Sequence, residues 1–246
     1  MSVARKPEKP VAACGLSLVD GLAGLRRIQL QDYIGAVSQY VLGSSELAGN
    51  EILSDGQKKA AQIRLSNGLA RVLAADLQQL NPRIREVFAG ERDVAGALRI
   101  ARADVSESHP LDGLRLAVEI KPVNLAVGRA IWNRFGDIRT FAVNLHLKFP
   151  FAVVGGVLVV PIFEVKKGGS RKDTRPLIAR AIQRFVRAGG RRTEGDAAHL
   201  LEAICVLVYD PDTGTVASDS PPIGSGLRWE EFINALSTAY EARFES

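Results

Sequence analysis

Two stretches constrain the fold most: Phe151 to Ile162 and Ala203 to Tyr209. Each is an almost unbroken run of β-branched and aliphatic residues too short for a membrane helix. Such runs predict buried strands, the first of them central and covered on both faces. The segments around them have helical periodicity. Ser54-Asp55 opens a helix that runs to about Leu80, where Asn81-Pro82 ends it, because the residue before proline avoids the helical region. Val127 to about Leu147, Leu177 to Val186 and Trp229 to Phe244 read as further helices. Leu98 to Val105 and Leu116 to Lys121 alternate as strands, expected to pair with each other. The order predicts an α/β fold with a mixed central β-sheet flanked by helices. Residues 1–15 are expected to form a basic tail and 16–246 a single domain, with a helical N-terminal part over 16–94, a core over 95–210 and a C-terminal helix over 227–244.

The strand Leu116 to Lys121 is unusual. Leu116, Val118 and Ile120 face one side, so Glu119 and Lys121 project together from the other, about 6 to 7 Å apart. Asp112 stands seven positions before Glu119, roughly 23 Å away on a straight strand. Asp112-Gly113 is a turn signal, and a chain reversal there would bring Asp112 beside Glu119. Two carboxylates next to an ammonium suit Mg²⁺, which takes a few carboxylates plus waters and substrate phosphate oxygens. A lysine in that position orients or deprotonates an attacking water. The competing reading is a salt-bridged Glu-x-Lys pair on a solvated strand face of a non-catalytic DNA-binding protein.

Asp112, Glu119 and Lys121 together resemble the motif of the PD-(D/E)xK nuclease superfamily, which includes many type II restriction endonucleases and DNA-repair nicking enzymes. The residue before the Asp is usually proline there; here it is Leu111, with Pro110 one place earlier. The resemblance covers roughly residues 95–165. It implies a restriction-endonuclease-like core and Mg²⁺-dependent hydrolysis of phosphodiester bonds in double-stranded DNA, with Mn²⁺ a possible substitute. Asp112, Glu119 and the main-chain carbonyl of Ile120 would hold the metal, and Lys121 would position the water. Many members carry a further upstream Glu on a helix. Glu86 is the preferred candidate, because Ile84, Val87 and Phe88 around it suggest a half-buried helix. A restriction enzyme cutting both strands of a palindrome favours a homodimer; a repair or recombination nuclease is the alternative.

Charge points to the same partner. The chain carries a net +5 with a pI near 9.4, which favours polyanions. From Lys166 to Arg192 there are ten basic residues against one acid, Asp173. The glycine-containing loop with Lys166, Lys167, Arg171 and Lys172 is expected to track DNA phosphates, whereas Arg180, Arg184 and Arg187 on the following helix are less clearly assigned. Arg129 and Asn133, four apart on one helix, share a face and are expected near the scissile phosphate. Two cysteines, Cys14 and Cys205, and three dispersed histidines make neither a disulfide framework nor a zinc site. His146 is expected to be structural and Cys205 a core residue. With no run of eighteen apolar residues and no signal-peptide pattern, a cytoplasmic address without membrane contact is expected.

Overall fold

The two apolar runs form an inner strand and one edge of a five-stranded sheet. A computed structural model describes residues 33–39, 55–123, 126–165 and 170–245. Residues 33–39 are helical (α1). The further elements are α2 (Asp55–Leu80), β1 (Phe88–Ala95), β2 (Ile100–His109), β3 (Gly113–Pro122), α3 (Val127–His146), β4 (Val153–Pro161), β5 (Phe163–Val165), β6 (Arg171–Asp173), α4 (Arg175–Phe185), a 3₁₀ turn (Val186–Ala188), β7 (Ala203–Tyr209) and α5 (Trp229–Phe244). The large sheet has the order β1-β2-β3-β4-β7. Its first three strands are antiparallel, and β3, β4 and β7 are parallel. The expected mixed sheet flanked by helices is therefore present.

Every residue of β4 and β7 is buried because helices cover both faces. Val153, Val157 and Val159 pack with α2 and α5, whereas Val154, Leu158 and Val160 pack with α3 and α4. That is the period-two alternation of a strand between two layers. Cys205 is buried among the α2 and α5 residues, as expected. Gly155-Gly156 makes no bulge: the β3–β4 register runs without a shift from Leu116↔Val153 to Pro122↔Val159. The glycines serve close approach instead. A Cβ on Gly155 would meet Phe232 and Leu236 of α5, and one on Gly156 would collide with Ile138 of α3.

Three expectations need correction. Strand β1 lies inside the segment 16–94 expected to be helical. Its Phe-Ala-Gly-Glu-Arg-Asp-Val-Ala sequence is largely exposed at the sheet edge, so no buried apolar periodicity marks it. Glu86 lies in an exposed bend before β1, in the left-handed backbone region at φ 43°, not on a half-buried helix. Part of the expected basic loop is ordered as the two-stranded β5–β6 hairpin.

Candidate functional site

The β2–β3 hairpin decides which carboxylates meet. Its turn does reverse the chain, but it leaves Asp112 at the tip. There the Arg115 guanidinium grips the Asp112 carboxylate through Nε and Nη2, and His109 Nδ1 stands 3.4 Å from it. From Gly113 strand β3 runs on to Pro122, so Glu119 stays roughly 20 Å from the tip. Asp112 and Glu119 are not brought together. The reason is topological: a reversal at Asp112 folds β2, not Asp112, back along β3.

The carboxylate that does arrive is Asp104 on β2. The antiparallel register ends at Val105↔Val118, and one further step along both strands sets Asp104 opposite Glu119. The ladder breaks there. Ala101 and Ala103 pack on the α3/α4 side while Val105 packs on the α2/α5 side, so β2 changes face around Asp104. In place of a main-chain acceptor, the Ile120 amide donates to Asp104 Oδ2 at 2.6 Å. An extended residue presents its N–H and C=O along the same edge. The Ile120 carbonyl therefore opens onto the same gap between β2 and β3.

Glu119 is buried, with 8% of its surface exposed. Its Oε1 lies 2.5 Å from Lys121 Nζ, and its Oε2 is buried without a hydrogen-bond partner. Lys121 remains partly open to solvent. Burial pushes the Glu119 carboxyl above the usual range, only partly offset by the Lys121 charge and hydrogen bond. Burial also raises Asp104, against the Ile120 amide and the Lys121 charge. The rim is charged as well. Glu91 adds repulsion at Asp104 and Asp137 at Glu119. Glu91 pairs with Arg102 at 3.0 Å, and Asp137 with Arg134 at 3.0 Å.

Half-buried Asp104 and buried Glu119, the latter with an unpartnered oxygen, are oxygen donors of the kind a hard cation takes. The donor set fits Mg²⁺ or Mn²⁺: Asp104, Glu119 and the Ile120 carbonyl, with remaining positions for water and phosphate oxygen. Among the described residues no group of three or more His, Cys, Asp or Glu side chains gathers as a metal site, so a cation here would rely on two carboxylates and a main-chain oxygen.

The other expected site residues fall as follows. Arg129 and Asn133 are exposed on α3, on the layer that covers Glu119. Lys166 and Lys167 lie outside the described residues. Arg171 is spent on Asp212, with bonds of 2.7 and 3.2 Å, and lies over the Phe163 ring. Lys172 is exposed on β6. Glu86 is close enough to raise Glu107, which bonds Tyr240 of α5, so it belongs to the opposite layer. His146 is structural, as expected: its ring nitrogens lie 3.0 Å from the Ala198 carbonyl and 3.2 Å from Glu202. Asp104 was missed, although an acid in the apolar context Ala103-Asp104-Val105, on the strand due to pair with Glu-x-Lys, is a visible signal.

No protein-family model, curated protein or solved structure matches the chain.

Proposed function

We propose that this protein is a Mg²⁺-dependent endonuclease of double-stranded DNA, of the PD-(D/E)xK kind and with a restriction-endonuclease-like core, and that it acts as a type II restriction enzyme. The observation that carries this reading is the meeting of Asp104, Glu119 and Lys121 across β2 and β3, with Glu119 Oε2 buried and unpartnered. Asp104 takes the place that the sequence motif offered to Asp112. The sheet order supports the reading too: an antiparallel hairpin carries the acids, and a helical crossover leads from β3 to a parallel neighbour.

Asp104, Glu119 and the Ile120 carbonyl would hold the divalent ion. When bound, that ion neutralises charge on the scissile phosphate and its leaving oxygen. The chain's own groups do the rest. Lys121 Nζ, fixed by Glu119 and open to solvent, holds the attacking water in line with the phosphorus and places a positive charge beside the phosphate. Buried surroundings strengthen both effects, because the effective dielectric there is lower than in water.

The test is to incubate the protein with a large mixed-sequence DNA and Mg²⁺. Discrete fragments that disappear with chelator are the expected result, and Mn²⁺ should substitute. Cutting restricted to branched, mismatched or nicked DNA would move the assignment to repair. Activity undiminished by excess chelator would remove the two-carboxylate metal site.

A further inference from the structure

The sequence directs attention to the loop at 166–172 for DNA contact, but among the described residues a second row of positive charge stands on α4 and the 3₁₀ turn after it. Between Thr174 and Thr193 the chain has six arginines and no acid. Two of the six are engaged. Arg175 pairs with Asp173, and Arg191 is buried on Glu202. Of the others, Arg180, Arg184 and Arg187 follow the spacing i, i+4, i+7, which sets them in one stripe. The opposite stripe, Ile178, Ala181, Phe185 and Ala188, is buried against the sheet and α3. All three arginines are exposed. Among the described residues none pairs with a carboxylate: Arg180 donates to the Pro176 carbonyl at 3.4 Å, and Arg184 lies 4.8 Å from the centre of the Trp132 ring.

We infer that the stripe formed by Arg180 and Arg184 on α4 and Arg187 on the 3₁₀ turn that continues it grips the phosphate backbone of duplex DNA. The inference rests on the nuclease reading for the identity of the polyanion. Its geometry is suited to one strand. Seven residues of helix span about 10 Å, the axial rise of about three nucleotides of one strand. Arg184 is held in place by the Trp132 indole, so less side-chain freedom is lost on binding. Position agrees as well. Phe185 of α4 packs on Phe135 and Trp132 of α3, with ring centres 4.4 and 6.3 Å apart, and α3 covers the sheet face from which Glu119 projects. The stripe and the carboxylate site thus lie on the same side of the sheet. Arg171, neutralised by Asp212, has no comparable free charge.

The experiment measures binding of a labelled mixed-sequence duplex by anisotropy across a salt series, without divalent metal. It compares the intact protein, Arg180→Gln/Arg184→Gln/Arg187→Gln, and Arg71→Gln/Arg83→Gln/Arg85→Gln. The last is a control of equal charge change, drawn from α2 and the turn after it. Circular dichroism checks that each is folded. The α4 triple should weaken binding on the order of a hundredfold at 0.15 M salt and flatten the slope of log K against log salt by about 2.7, which is 0.9 for each of three phosphates. The control should leave the slope nearly unchanged. Equal effects of the two triples, or an unchanged slope in the α4 triple, would overturn the stripe. The nuclease reading fails separately: DNA bound through the stripe but never cut with Mg²⁺ leaves the stripe standing, and DNA cut by a protein whose α4 triple binds normally leaves the nuclease standing.

Discussion

Glu119 and Glu202 are both buried carboxylates, and their surroundings push them in opposite directions. Glu202 is also raised by burial, but the His146 hydrogen bond, the charges of His146 and Arg243 and the Val154 amide outweigh this and hold it below the usual range; Arg191 Nη1 adds a bond at 2.9 Å. A depressed carboxyl stabilises the fold above its unfolded pKa, and the contribution is lost as pH falls through the folded value. Glu202→Gln should therefore cost about 3–5 kcal/mol in urea unfolding, the price of leaving buried cations unpaired. Glu119 and Asp104 have raised values, so the sign reverses. The native state holds more protons than the unfolded chain in that window, and their contribution to stability grows as pH falls through it. Asp104→Asn and Glu119→Gln should abolish cleavage while leaving duplex binding intact and melting temperature unchanged or higher. Asp112→Asn, altering only the hairpin tip, should still cut DNA. A plasmid-nicking assay of the three variants decides between the two aspartates, and an inactive but folded Asp112→Asn would return the role to Asp112.

At the scale of elements, the legible parts are those with a strong period. The unbroken apolar runs of β4 and β7 identify strands buried on both faces, and Glu-x-Lys alternates visibly on β3. The edge strand β1 has no such mark, since its side chains mostly meet solvent. Strand β2 was recognised, but not which of its residues faces Glu119. Register is set by pairing between strands, and the local break around Asp104 shifts the faces by a residue. A nearby turn acid was therefore an easier candidate than an acid opposite in space. The same sheet yields a prediction at Gly156, which pairs in register with Glu119. A methyl there meets Ile138 of α3, so Gly156→Ala should cost about 1–3 kcal/mol through overpacking. By displacing α3 from β3 it should also lower the cleavage rate more than Asp112→Asn does. Chemical denaturation and a single-turnover assay measure the two effects.

Across the whole molecule, the fold is a sheet between two helical layers, and the candidate site lies where that sheet is locally unfinished. Among the described residues no helix is long and apolar enough to cross a membrane. The helices instead complete two cores, one with α2 and α5 and one with α3 and α4. The gap between β2 and β3 interrupts the second core with ionisable groups that gain nothing from burial alone. Such an arrangement makes stability depend on a ligand. An ion that binds the native state alone stabilises it by RT ln(1 + [L]/Kd), about 2.7 kcal/mol at a hundredfold excess over Kd. For a chain of this size that corresponds to a rise of roughly 5–10 °C in melting temperature. Mg²⁺ should produce this rise in the intact protein, and chelator should reverse it. The effect should grow as pH increases through the raised carboxyl values, because the ion displaces protons from Asp104 and Glu119. In Asp104→Asn and Glu119→Gln the shift should vanish, although each starts no less stable than the parent. Calorimetry with and without Mg²⁺ at two pH values reads all of this, and an equal shift in the intact protein and both variants would place the ion elsewhere than between β2 and β3.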